Sequence, residues 1–277
     1  MELTSQYHRP VFYGVPGWEV TVFYLSALLA LAILIWGIWL KVSLWLEGGP
    51  DPAPIRGPLD EGGGWQFALR ALAWFFSADC LLARRVFRRS FYRGASLFLV
   101  MWGFLLLFAG SITLALSHDA GLHFLRGDAY YAFKLILNWA GVAFLIGLLL
   151  MLTRRYLLTA RRERVNAGED VAMLGLFLAL GITGFLVEGM RIASQGPGSP
   201  ELSWFTLAAL LGNWFLALGP AAAAWHTALW FLHVYLALFT FAYIPFSKLF
   251  HLYAAPLITG ATARRRYIHT GEEVVTR

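Results

Sequence analysis

The chain has 277 residues, of which 59% are hydrophobic and only 14% charged, and its mean hydropathy of +0.62 argues against a water-soluble core and for a membrane protein. Its formal charge of +6 does not point to nucleic acid, because the arginines sit beside apolar runs where a membrane protein keeps its cytoplasmic charge. A single cysteine, Cys80, excludes an internal disulfide and a tetracysteine iron–sulfur or zinc centre within the chain.

In chain order, apolar runs of about 20 residues, the length of a bilayer crossing, predict five spans, at roughly 20–45, 95–117, 130–152, 170–190 and 222–248. The first run lacks the basic start and small-residue cleavage site of a signal sequence, so it is expected to be the first span. Three arginine clusters punctuate the runs: Arg84, Arg85, Arg88, Arg89 and Arg93; Arg154, Arg155, Arg161, Arg162 and Arg164; and Arg264, Arg265 and Arg266. Alternating five spans puts all three on one side. The positive-inside rule makes that side cytoplasmic, with the amino terminus outside and the carboxyl terminus inside a cytoplasmic membrane. Residues 1–260 thus read as one membrane domain, and 261–277 as a short basic tail.

Between the spans, EGGPDPAPIRGPLDEGGG from Glu47 to Gly64 has the glycine and proline density of a loop, either a flexible connector or a surface that a partner orders. Two further apolar pieces, about 65–83 and 202–218, contain Arg70, Asp79 and Asn213. Counting only one of them as a span would scramble the charge sides. Both are expected to be interfacial or half-buried helices.

The chemistry concentrates in histidines. HTALWFLHVYLALFTFAYIPFSKLFH carries His226, His233 and His251, and at about 100° and 1.5 Å per residue a continuous helix lines them along one stripe. Pro245 weakens that geometry toward His251. Such a stripe either packs into polar pockets between spans or ligates haem, since a neutral imidazole gives one nitrogen to iron and hydrogen-bonds through the other. An opposing ligand is sought in LALSHDAGLHF, which offers His118 and, in a loop, His123. His118 lies at the external end with His226 and His233, whereas no histidine of the second span faces His251; one external haem is easier to place than two. At the same end, GITGFLVEGMRI carries Glu188 and Arg191 three residues apart. They form either a boundary salt bridge or a quinone pocket, in which Glu188 accepts a proton and Arg191 positions a carbonyl oxygen.

Over roughly residues 20–260, WHTALWFLH (Trp225–His233), YIPFSKLFHLYAAP (Tyr243–Pro256) and GFLVEGMR (Gly184–Arg191) make the chain resemble the gamma-type membrane cytochrome b family of respiratory nitrate reductases. The details resemble most the membrane subunits of heterodisulfide-reductase-like and sulfite-reduction-associated complexes. The resemblance implies an all-α, five-span cytochrome b bundle that holds haem b between its second and fifth spans. It further implies electron exchange between membrane quinone and a cytoplasmic iron–sulfur partner subunit. It assigns ligand roles to His233 and His251, and matches His226 to an additional upstream histidine. In YRGASLFLVMWGF (Tyr92–Phe104) the family position that is often histidine is Leu97, and Leu107 is no histidine either; leucine cannot ligate iron. His118 is therefore an inferred partner. The competing expectation is a haem-free assembly anchor or transporter, although transport is poorly served by a single proline-broken span.

Overall fold

The computed structural model describes residues 12–47, 81–119, 125–158, 167–247 and 250. The helices are α1 (Gly17–Glu47), α2 (Arg84–Arg89), α3 (Phe91–Asp119), α4 (Gly127–Thr153), α5 (Ala167–Ser194), α6 (Leu207–Phe215) and α7 (Ala221–Tyr243). A π-helical turn, Arg154–Leu158, prolongs α4, and short 3-10 turns occupy Pro200–Ser203, Leu216–Leu218 and Ile244–Phe246.

Among the described residues, five segments are long and apolar enough to cross a membrane: Gly17–Leu44, Phe91–Asp119, Gly127–Leu157, Val171–Ser194 and Ala221–Phe246. They correspond one for one to the five expected spans. Large side chains such as Leu25, Leu28, Ile35, Trp36 and Trp39 stand exposed along α1, as befits a surface solvated by acyl chains rather than water. The chain is thus a multi-pass protein of the cytoplasmic membrane.

The residues group into two compact units, one drawn from Met1–Tyr24 and Val86–Ala237 and the other from Leu25–Arg85 and Leu238–Arg277. In the first unit, α3 and α4 form the most extensive helix pair. Their approach depends on missing side chains. A Cβ on Gly103 would lie 2.7 Å from Phe144 Cβ and 2.8 Å from the Ala140 carbonyl oxygen, and one on Gly147 would lie 2.8 Å from the Val100 backbone nitrogen. In lipid, where apolar burial does not drive helix association, such small-residue contacts supply the packing. The Tyr92 hydroxyl adds a polar tie, donating to the Leu150 carbonyl at 2.8 Å.

Helix α5 packs on α4 and α6, with Phe185, Ile192 and Ala208 at the core. Helix α6 begins cleanly because two of its amide donors find side-chain acceptors: Ala209 N–H donates to Thr206 Oγ1 at 3.1 Å, and Leu207 N–H to Asn138 Oδ1 of α4 at 3.1 Å. The stretch Leu207–Leu218 is too short to cross a membrane, and its helix α6 buries only Ala208, Ala209 and Gly212. It is the half-buried helix expected over 202–218; the other candidate, 65–83, lies almost wholly outside the described residues.

In the second unit, Pro245 and Phe246 pack against α1, and a Cβ on Gly37 would fall 2.7 Å from Pro245 Cβ. Near the end of the fifth span, which runs to Phe246, the α-helix α7 stops at Tyr243. A proline lacks the amide donor and crowds the preceding turn, so the chain tightens into a 3-10 turn.

The α3–α4 contact is open to test. Gly103→Ala should destabilise the protein by about 1–3 kcal/mol, the usual cost of overpacking, because its methyl group would meet backbone atoms that cannot yield. Gly175→Ala, with nothing within 4 Å of the added Cβ, should cause no loss. Unfolding transitions in mixed micelles read both; equal stability of the two variants would exclude the close approach.

Candidate functional site

Helix α5 carries Glu188 and Arg191 one turn apart near its carboxyl end, and the structure joins them: Arg191 Nη2 donates to Glu188 Oε1 at 2.6 Å. The chain then closes the helix at Gly196, whose φ of +81° is a left-handed conformation that glycine adopts without strain. Gln195 N–H donates to the Ile192 carbonyl and Gly196 N–H to that of Ala193. This reversal and the 3-10 turn at Pro200 return Glu201 to the guanidinium, where its Oε2 accepts from the same Nη2. From α4, Lys134 Nζ donates to Glu188 Oε1, and the Tyr130 hydroxyl donates to Glu201 Oε1 at 3.3 Å.

Among the described residues two cations and two carboxylates meet here, and Arg191, 1% exposed, lies deepest. Its Nε and Nη1 have no hydrogen-bond partner among the described residues. Beside the cluster is a cavity of about 20 Å³ lined by Tyr131, Lys134, Asn138, Glu188, Glu201 and Trp204, among others, room for one oxygen-sized group. Arg191 is not in its wall. It holds both carboxylates from behind, whereas Lys134 is the cation that faces the space. Sequence reasoning missed Lys134 and Glu201. Lys134 did leave a signal, as the one charged residue between Asp128 and Arg154, since an ionisable group within a span demands a partner. Glu201 left none, being one more carboxylate in a polar loop.

The histidines are distributed differently. His226 is 3% exposed, its ring edge-on to Tyr13 with centroids 5.8 Å apart. Seven residues on, His233 faces α5: its Nδ1 is 3.0 Å from Thr183 Oγ1, and a Cβ on Gly184 would lie 3.2 Å from its Cε1. Seven residues amount to nearly two turns, so both rings occupy one stripe of α7. His118 closes α3. Its Nδ1 pairs with Asp119 Oδ1 at 2.7 Å, the same oxygen accepts from the Tyr24 hydroxyl at 2.7 Å, and its ring meets Phe12 edge-on at 5.5 Å. The Phe12 ring also touches Trp230 of α7 at 6.0 Å. It links the neighbourhoods of His118 and the α7 stripe without bringing the imidazoles into contact. Leu97 and Leu107 both lie on α3. His123 and His251 lie outside the described residues.

Among the described residues, no three or more histidine, cysteine, aspartate or glutamate side chains are grouped to chelate a metal ion. Axial haem ligation needs no such group, only one or two correctly turned imidazoles.

Residues 65–270 match the family described as nitrate reductase gamma subunit. The chain is 28% identical over 242 residues to an EtfAB:quinone oxidoreductase of Syntrophomonas wolfei, a match that covers 84% of this chain and 32% of that protein. It is 30% identical over 185 residues to a dihydromethanophenazine:CoB--CoM heterodisulfide reductase subunit of Methanosarcina thermophila, covering 65% of this chain and 62% of that one. The corresponding subunit of Methanosarcina barkeri is 28% identical over 184 residues, with the same coverage. The chain spans about a third of the first relative and just under two thirds of the others. No solved structure gives a significant match. Five membrane-length helices, the charge cluster at the end of α5 and a family match over more than half of the sequence lead to one assignment: the chain belongs to the nitrate reductase gamma subunit family.

Proposed function

We propose that this protein is the membrane-embedded cytochrome b subunit of a multi-subunit oxidoreductase, and that it exchanges electrons between the quinone pool and a cytoplasmic iron–sulfur subunit. The observation that carries the proposal is His233. It stands inside an apolar span with Nδ1 facing Thr183 Oγ1 at 3.0 Å, an arrangement that would leave Nε2 as the ligand nitrogen. Gly184 supplies a side-chain-free wall against that ring, a clearance that fits His233 as a residue that would hold a haem. A haem b bound at His233 would supply a one-electron carrier within the membrane. The opposing ligand is sought in His118, with His226 in reserve and His251 as the family-implied cytoplasmic ligand. A relative named as a quinone oxidoreductase and another named as a subunit of a heterodisulfide reductase support the same class of partner and substrate.

The quinone reaction is placed at the cavity beside α5. Lys134 offers an ammonium proton to a ligand oxygen, and Glu188, whose carboxylate lines the same space, exchanges a proton with it. Arg191 positions Glu188 and Glu201 by holding both on one guanidinium nitrogen. The carbonyl-positioning role expected of Arg191 thus passes to Lys134, which lines the cavity where Arg191 does not. The orientation has the amino terminus outside and the carboxyl terminus inside, which puts the cluster and His118, His226 and His233 at the external end.

In the protein purified with its natural partners, a reduced-minus-oxidised spectrum should show a low-spin b-type signal, and His233→Ala should remove it while assembled protein persists. A variant with full haem content and an unchanged spectrum would reject the ligand assignment, and no b-type signal in the wild type would favour a haem-free anchor. For the quinone site, quinol-dependent haem reduction should fall about 10²- to 10⁴-fold in Glu188→Gln, the span of general acid–base contributions, and markedly in Lys134→Gln. Normal kinetics in both assembled variants would exclude the pocket, and failure to assemble would mark the cluster as structural. For the orientation, Cys80 is first replaced by serine. Single cysteines at positions 122 and 195 should then label from outside intact cells and those at 59 and 270 from inside; the opposite pattern inverts the topology.

A further inference from the structure

We infer that Thr183 is the positioning residue of His233: it selects the imidazole tautomer and fixes the ring's rotation, so that Nε2 is the nitrogen presented to haem iron. The inference rests on the haem reading of His233 and extends it to a residue on a different helix.

The placement of hydrogens decides the tautomer. Thr183 Oγ1 is 2.8 Å from the Ala179 carbonyl oxygen and 3.1 Å from that of Leu180, and carbonyls only accept. The hydroxyl hydrogen is therefore committed to α5 itself, and Oγ1 faces His233 Nδ1, 3.0 Å away, with a lone pair. In the arrangement we infer, Nδ1 carries the proton in that pair, beside a Leu180 backbone that also hydrogen-bonds the ring, and the ring lone pair is left on Nε2. Without a fixed acceptor at Nδ1, a neutral imidazole samples both tautomers and rotates about its outer torsion, which is broad for histidine. Threonine suits the task. Its β-branch restricts χ1, and the bond to its own helix holds the oxygen in place. At 8% exposed, it is shielded from competition by water.

The neighbouring residue completes the seat. A Cβ at Gly184 would lie 3.2 Å from His233 Cε1 and 3.8 Å from both ring nitrogens, so a side chain there would require the imidazole to give by a few tenths of an ångström. Thr183 and Gly184 thus fix the ring by attraction on one atom and by clearance beside it. Helix α5 also carries Glu188 five residues further on, about 7.5 Å along the axis. One rigid element therefore sets both the proposed iron ligand and the proposed proton acceptor.

The test uses the complex purified with its partners and reads haem content, the electron paramagnetic resonance g-values of the low-spin haem and its midpoint potential. Thr183→Val keeps shape but removes the acceptor; it should weaken haem retention by about 10- to 100-fold, the effect typical of losing an outer-shell partner, and shift the g-values and potential. Thr183→Ser should restore the wild-type spectrum. Gly184→Ala, which leaves the threonine in place but crowds the ring, should shift the g-values and serves if Thr183→Val does not assemble. Wild-type g-values, potential and haem content in both Thr183→Val and Gly184→Ala, alongside loss of haem in His233→Ala, would overturn the role of Thr183 and leave the haem reading intact. Full haem retention in His233→Ala would instead overturn the haem reading.

Discussion

A guanidinium that is 1% exposed at the end of an apolar helix has to be neutralised in place, and much of the surrounding structure follows from this requirement. Leaving one member of a buried ion pair without its partner costs about 3–5 kcal/mol, more than the about 1–3 kcal/mol of an ordinary overpacked contact. Arg191 takes one carboxylate from its own helix, one turn back, and the second from the loop that follows. Bringing Glu201 to it requires the helix to stop at Gly196 and the chain to reverse. That reversal delivers Thr206 to cap α6 and places Leu207 against Asn138 of α4. The lysine contributed by α4 then ties a third element to the same charges.

The helix pairs obey a different rule. Acyl chains solvate leucine as well as a neighbouring helix does, so the spans gain from approaching where side chains are missing, and Gly103 and Gly147 provide that opportunity between α3 and α4. The broad apolar faces left over, on α1 above all, are the lipid boundary.

Alternation of antiparallel spans gathers the end of α3, the start of α4, the end of α5 and the start of α7 at one end of the first unit. His118, Lys134, Glu188, Arg191 and His226 come from four segments far apart in sequence, and each lies within about two turns of a helix terminus. Charged and titratable groups are least costly there, near the headgroups. The charge cluster and the histidines are thus held on few elements, with α5 touching both Lys134 and His233.

The five spans among the described residues were legible in the sequence, because transfer into lipid is a property of each segment by itself, and five runs of sufficient length announce them. So was the pairing of Glu188 with Arg191, a local consequence of helical spacing, and the shared stripe of His226 and His233. The stop of α7 at Tyr243 required more: Pro245 forecast a bend, and the structure ends the helix there. The contacts of Glu201 and Thr183 left no signal in the sequence, and the partner of Lys134 left none either, since they depend on the rotation and register of one helix against another and on the path of a loop. The contact of His233 with α5 belongs to the same class: only the structure turns the ring toward Thr183 and Gly184. Spacing along a helix determines which side chains share a face, and only close packing between helices, at the positions where a Cβ is absent, decides what that face meets.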